Sequence, residues 1–224
     1  MKYKLVQLCV VALLGYGHAG LYAQTVTDIE GNVYKTVTIG TQTWMSENLT
    51  TTKYNDGTAI PLVSDDAAWT ARDSMAIITQ AYYWYDNDST YNKTSGALYN
   101  GYTIITGKLC PLSWHVPSDA EWTLLSAHLG GEDDAGGKLK ETDTTYWESP
   151  NVGATNEAGF NALPGGYRSM NGKFHLVKGN ASWWSSTDGS PEGLWFRAIH
   201  NVTSLMIKGV LDKPNGISVR CIQD

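Results

Sequence analysis

The chain has 224 residues, with 16 Lys and Arg against 22 Asp and Glu, a formal net charge of −6. A surface of that sign repels phosphate backbones and anionic headgroups, which sets nucleic acid and anionic membrane surfaces aside as partners. The length suffices to bury a substantial core in one domain.

At the N-terminus Lys2 and Lys4 precede an apolar run from Leu5 to Tyr16. A positive start, about a dozen apolar residues and the small Ala23 before a polar sequence are the parts of a signal peptide, and a bilayer-spanning helix needs roughly 20 residues. The reading is therefore a signal over 1–24 and one domain over 25–224, exported and without membrane insertion once the signal is removed. Cys9 lies inside the signal, and Leu8 stands where a lipoprotein signal would carry a small residue. Removing Lys2 and Lys4 leaves 14 basic residues against 22 acidic, a net of −8. It also leaves two cysteines, Cys110 and Cys221. In an oxidising compartment these read as one disulfide, the alternative being two separate buried thiols.

Thr25 to Ile39 reads as a hairpin around Glu30-Gly31-Asn32, followed by a turn and the extended Thr43-Trp44-Met45. Thr50 to Gly57 is a polar loop. Ser64-Asp65-Asp66 before Ala67, Ala68, Trp69 and Arg72 has the capping hydroxyl and acidic first turn of a helix. Ala81 to Tyr85 is an aromatic run, and the polar stretch Asp86 to Thr94 ends it. Ala97 to Ile105 fits either a helix or a strand.

Pro117-Ser118-Asp119-Ala120-Glu121-Trp122 predicts a second helix. Ser118 and Glu121 are spaced as a capping box, and Trp122, Leu125, Ser126 and Leu129 share a face. Gly130-Gly131 ends that helix. Glu132 to Gly166 reads mostly as ordered loop with short elements. The last 60 or so residues read as an antiparallel β-meander, with strands at Ser182 to Ser186, Leu194 to Ile199, Leu205 to Val210 and Ile217 to Ile222. Two helices before a terminal sheet make the class α+β.

Several segments then fall into a recognisable order. Gly96-Ala97-Leu98-Tyr99-Asn100 precedes Cys110-Pro111, Trp114-His115-Val116-Pro117-Ser118-Asp119-Ala120-Glu121-Trp122 and Gly136-Gly137-Lys138-Leu139-Lys140-Glu141. Ser149-Pro150-Asn151, Gly153-Ala154-Thr155-Asn156-Glu157, Gly159-Phe160 and Leu163-Pro164-Gly165-Gly166-Tyr167-Arg168 follow. Trp183-Trp184-Ser185-Ser186 and Asn215-Gly216-Ile217-Ser218-Val219-Arg220-Cys221 complete the set. In this order they resemble the Fibrobacter succinogenes major paralogous domain, a family of exported bacterial proteins, over about Asp28 to Asp224. Ser113 departs from the glycine usual before that Trp. The resemblance implies a C-type-lectin-like fold in which the chain ends pair and long loops leave a compact body. It implies no activity, and fold alone supplies none.

Nine Trp and 13 Tyr against three Phe suit sugar stacking and half-buried framework positions alike. In strands, neighbours point to opposite faces, so about half the rings of Tyr82-Tyr83-Trp84-Tyr85 and Trp183-Trp184 should be internal. Tyr83, Tyr85 and Trp195 are the candidate ligand-binding residues, within loops around Tyr83 to Asn92 and between Thr187 and Lys213. Asp86 and Asp88, with Asn87 and Asn92, offer the oxygen ligands calcium requires, although an EF-hand's glycine and terminal glutamate are missing. A solvated turn is the plainer reading, so no cofactor is expected. Glu132-Asp133-Asp134 likewise reads as an exposed acidic loop.

His115, His128, His175 and His200 are scattered singly, and no zinc pattern, nucleophile elbow or phosphate-cradling glycine loop is present. The function expected is an exported or surface-displayed binding module for a glycan or a protein partner. A structural subunit of a surface assembly is the alternative. An enzyme on the lectin-like scaffold would need reactive cysteines.

Overall fold

The structure, a computed structural model, describes residues 24–64, 79–91 and 95–224. The expected signal segment, the helix expected after Ser64, and Asn92 lie outside these residues.

The chain opens with β1 (Thr25–Thr27), β2 (Val33–Ile39) and β3 (Gln42–Met45). The short strands β4 (Tyr82–Tyr83) and β5 (Leu98–Asn100) lead into a single helical turn, α1 (Gly101–Ile104). Ala97 to Ile105 is thus both extended and helical, and the change is made at Asn100, whose side chain accepts from Thr103 N at 3.0 Å. After β6 (Trp114–His115) come α2 (Asp119–His128) and α3 (Glu132–Leu139). Then follow β7 (Tyr167–Arg168), β8 (Phe174–His175), β9 (Asn180–Asp188), β10 (Gly193–His200), β11 (Met206–Asp212), β12 (Gly216–Ile217) and β13 (Ile222–Gln223).

α2 begins as its sequence predicts. Glu121 N donates to Ser118 Oγ at 3.3 Å, and Ser118 N donates back to Glu121 Oε2 at 2.7 Å. Trp122, Leu125, Ser126 and Leu129 are buried. α3 corrects the loop expected from Glu132 onward, and Gly131, expected only to end α2, is also the N-cap of α3. Glu132, Asp133 and Asp134 form its acidic first turn, which suits the positive end of the helix dipole. Gly136-Gly137 hid the helix, because glycine is a poor helix former. Both are needed for contact: a Cβ on Gly136 would strike the carbonyls of Ser204 and Leu205, and one on Gly137 the carbonyl of Gly153.

Three sheets organise the strands, ordered β1-β2-β3-β13-β6, β11-β10-β9 and β4-β5-β12-β7-β8. The meander ends one strand earlier than predicted. Ile217 to Ile222 is divided between β12, which pairs with β5 and β7, and β13, which pairs with β3 and β6. Because Ile222 pairs with Trp44, the C-terminal strand lies against the N-terminal hairpin. Cys110 and Cys221 are disulfide-bonded.

β9 and β10 have hydrophobic clusters on both faces. One cluster takes Trp184 and Leu194 with Met45, Trp84 and Tyr99, and the other takes Trp183 and Ile199 with Trp44, Trp122 and Phe160. Strand alternation therefore sends Trp183 and Trp184 into different cores, and both are fully buried. Tyr82-Tyr83-Trp84-Tyr85 repeats the arrangement: Tyr82 and Trp84 join the first cluster, while Tyr83 and Tyr85 join a third with Val63 and Leu98. The expectation that half of each run would face solvent is thus corrected by the second cover.

Candidate functional site

A cleft of about 620 Å³ lies between the N-terminal hairpin and the long segment after α3. Tyr34, Lys35, Glu47 and Asn48 line it from one side, and Glu141, Asp143, Tyr146 and Leu163 from the other. Its floor is a buried polar cluster. Arg220 Nε and Trp183 Nε1 both donate to Asn48 Oδ1, at 2.8 and 2.9 Å, and Asn48 Nδ2 donates to Ser95 O at 2.8 Å. The Arg220 guanidinium also donates to the carbonyls of Phe160 and Asn161 and lies 4.1 Å from the Phe160 ring centroid. Burial pushes it down to about 9, so it remains a cation at neutral pH.

The rim carboxylates are held by local bonds. Glu47 Oε2 accepts from Lys35 N at 2.8 Å, and Glu141 accepts from Thr142 N and from Asn156 Nδ2 at 2.8 and 3.1 Å. Asp143 accepts from Thr145 N at 2.7 Å, and the Thr145 hydroxyl and amide hold it below the usual carboxylate range.

This cleft continues. Tyr146 and Leu163 also line a more apolar hollow of 210 Å³ with Tyr91, Pro164 and Val177. Tyr91 and Val177 in turn line a third hollow of 530 Å³ with Tyr85, Asp86, Asn87, Lys173 and Phe174. The shared residues string the three into one groove, with the partly exposed rings of Tyr146 and Tyr91 along it. In sequence each of these tyrosines closes a polar stretch, Asp86 to Thr90 before Tyr91 and Thr142 to Thr145 before Tyr146.

The residues singled out from sequence do not meet. Tyr83 is fully buried, with the Arg168 guanidinium 4.8 Å from its ring centroid, so it presents no face to a ligand. Tyr85 reaches the end of the groove, its ring 5.4 Å from that of Tyr91. Trp195 lies elsewhere, on β10, under the ammonium of Lys208 at 4.5 Å. Of the two loops expected to hold a ligand, Tyr83 to Asn92 reaches the groove through Tyr85, Asp86, Asn87 and Tyr91, whereas nothing from Thr187 to Lys213 lines it. Asp86 and Asp88 are exposed, and Asp88 accepts from Thr90 N at 2.8 Å. Among the described residues no three His, Cys, Asp or Glu side chains converge as a metal would need, and no helix is long and apolar enough to cross a membrane.

The model of the Fibrobacter succinogenes major domain matches residues 37–223. The chain belongs to this family. No curated protein and no solved structure matches it. The segments that carry the Fibrobacter succinogenes major domain signature serve mainly as framework in this chain. Arg220 forms the cleft floor, and Arg168 donates to Gly172 O and Val63 O at 3.0 and 2.7 Å. Lys140 donates to the carbonyls of Val152, His200 and Thr203 at 2.6, 3.0 and 2.8 Å. Burial pushes the Lys140 ammonium down to about 8, while its three acceptors favour the charged form. These cations tie loops that have little regular structure to the body of the domain.

Proposed function

We propose that the chain is an exported binding module of C-type-lectin-like fold that holds a glycan or an extended protein segment in the groove. The observation that carries this reading is the alignment of Tyr146 and Tyr91 along three hollows that share walls. Flat rings supply stacking area, and the Asn, Glu and Asp side chains of the rim supply hydrogen bonds at fixed positions, the combination a polyhydroxylated or main-chain ligand needs. Both mature cysteines are consumed in one bond, so thiol chemistry is not part of this reading.

The test is an array of oligosaccharides and extended peptides probed with the chain, followed by titration of any positive with variants. Tyr146→Ala is expected to weaken binding by about tenfold or more while the melting temperature holds, and Tyr91→Ala to weaken binding similarly with some loss of stability, because its ring packs on that of Tyr85. Trp195→Ala, remote from the groove, should bind as the parent does. Full affinity in both tyrosine variants would overturn the groove as the site.

A further inference from the structure

The hollow at the far end of the groove is bordered by three aromatic rings. Tyr85 is buried, and the half-buried rings of Tyr91 and Phe174 flank it at centroid distances of 5.4 and 5.2 Å. They are inclined to Tyr85 by 57° and 55°, so the rings do not stack flat on one another and border the hollow at different angles. Phe174 already takes one cation, since the buried Arg168 guanidinium lies 4.8 Å from its centroid and donates to the carbonyls of Gly172 and Val63.

The polar residues of the hollow bring both signs of charge. Asp86 and Asn87 stand in left-handed backbone, with φ of 52° and 55°, a conformation that residues other than glycine adopt rarely and that gathers at binding sites. That turn sets the Asp86 carboxylate beside Tyr85: burial chiefly, with the charge of Asp86 adding to it, pushes the Tyr85 phenol up. Among the described residues no hydrogen bond or ion pair engages this carboxylate. Exposed Lys173 borders the same hollow.

The faces of aromatic rings are negative and attract a cation within about 6 Å of the centroid, and ring clusters of this kind suit a quaternary ammonium. A primary ammonium would have to shed hydrogen bonds to water that ring faces do not replace. Joined to a phosphate, the quaternary group would also answer Lys173. We propose that this hollow binds a phosphocholine group, its trimethylammonium against Tyr85, Tyr91 and Phe174 with Asp86 beside it, and its phosphate toward Lys173. The proposal rests on the reading of the groove as a binding site and names the group taken at its far end.

Phosphocholine and phosphoethanolamine differ only in their N-methyl groups, and titration calorimetry of the chain with each is the test. Phosphocholine should bind about tenfold more tightly. Tyr91→Leu keeps apolar bulk over Tyr85 but removes a ring, and Asp86→Asn removes the charge while keeping a residue suited to left-handed backbone. Each should weaken phosphocholine binding about fivefold or more, with the melting temperature retained. Equal affinity for the two compounds, no phosphocholine binding at millimolar concentration, or parent-like binding in both variants would overturn the proposal. Phosphatidylcholine vesicles and a phosphocholine-bearing oligosaccharide separate a lipid from a glycan as the source, which is whichever the parent captures and Asp86→Asn releases. If phosphocholine does not bind while the array yields a ligand that Tyr146→Ala weakens, the groove stands and this proposal falls. If phosphocholine binds and no ligand from the array depends on Tyr146, the hollow stands and the wider groove falls.

Discussion

Trp183 and Trp184 are neighbours in one strand and both are fully buried, whereas Tyr91 and Tyr146, each following a polar stretch, are only partly buried along the groove. The difference lies in cover. β9 has a hydrophobic cluster on each face, so consecutive rings alternate between two cores and neither reaches water. Tyr91 and Tyr146 lie in segments with a body on one side only. The paired tryptophans of β9 mark the doubly covered interior, and the tyrosines that close the polar stretches before Tyr91 and Tyr146 mark the rim. The same contrast exists within one sheet, since β9 is covered twice and β11 is exposed along its outer edge.

The interior should fail hardest where its most distant segments are tied together. Cys110 and Cys221 both sit in the first cluster, and they are 111 positions apart in sequence. Closing a loop of that length restricts the unfolded chain by about 5 kcal/mol in the entropy model. Cys110→Ser with Cys221→Ser is expected to lose stability on that scale in denaturant titration. Thiol titration of the unfolded, unreduced mature protein, from which the expected signal with Cys9 is removed, should find no reactive thiol, and two would refute the bridge.

Trp183→Ala comes next. The truncation leaves a cavity among Trp122, Phe160 and Trp183's other neighbours, and large aromatic truncations cost about 3 to 5 kcal/mol. It also removes one of the two donors to Asn48 Oδ1 beneath the groove, so groove affinity should fall together with stability. Tyr146→Ala should separate the two quantities, with affinity lost and melting retained. If Trp183→Ala and Tyr146→Ala behaved alike in both measurements, the distinction between interior and rim would be lost.

How legible this contrast was depends on the range of the forces involved. The N-terminal hairpin, α2 and the strands β9 to β11 were readable because caps, turns and alternation act within a few residues. The second cover on β9 was not, since it is made by Trp44, Trp122 and Phe160 from three distant segments. Gly136-Gly137 read as loop chemistry because the carbonyls that demand glycine there belong to residues 153, 204 and 205. The groove was the least legible feature. Its walls come from the hairpin, the segment after α3 and the turns around Tyr91, and only the last contained residues singled out in advance. Arg168, Lys140 and Arg220 stood in the signature motifs, but their acceptors are backbone carbonyls, which no pattern of side chains announces.

At the boundary between interior and rim the effects shrink. Ser118 caps α2 while the helix packs inward through Trp122, Leu125 and Leu129. Ser118→Ala frees the Glu121 amide and should cost about 0.5 to 2 kcal/mol by thermal or chemical denaturation. Ser118→Asp, which keeps an acceptor at the cap, should recover part of the loss. Unchanged stability in Ser118→Ala would mean that the inward face alone holds the helix.

The smallest effect expected is one of pH, at the same helix start. His115 Nε2 lies 2.9 Å from Glu121 Oε1, and Nδ1 lies 2.7 Å from Asp224 Oδ1. Desolvation lowers the imidazole, but the hydrogen bonds to Asp224 and Glu121 and their charges outweigh it and raise it above its ordinary 6.5. Desolvation raises Glu121, and it too is outweighed, here by the Ser118 amide and hydroxyl and by His115, so the carboxyl falls below 4.5. A raised imidazole contributes stability that is fully present below 6.5 and is lost as pH rises through the folded value. A lowered carboxyl contributes stability that is present above 4.5 and is lost as pH falls through its own folded value. Both contributions are therefore present together between 4.5 and 6.5. With the His115 side chain 40% exposed, solvent screening keeps its share below about 1 kcal/mol. Melting temperature against pH should decline above 6.5 in the parent. In His115→Gln, which retains hydrogen bonding but cannot titrate, that part of the decline should vanish while the loss at acid pH persists. A decline of equal steepness in parent and variant would assign the alkaline limb to other groups. Buried Lys140 is not one of them: its lowered ammonium favours the fold as pH rises from about 8 toward its ordinary 10.5, the opposite sign.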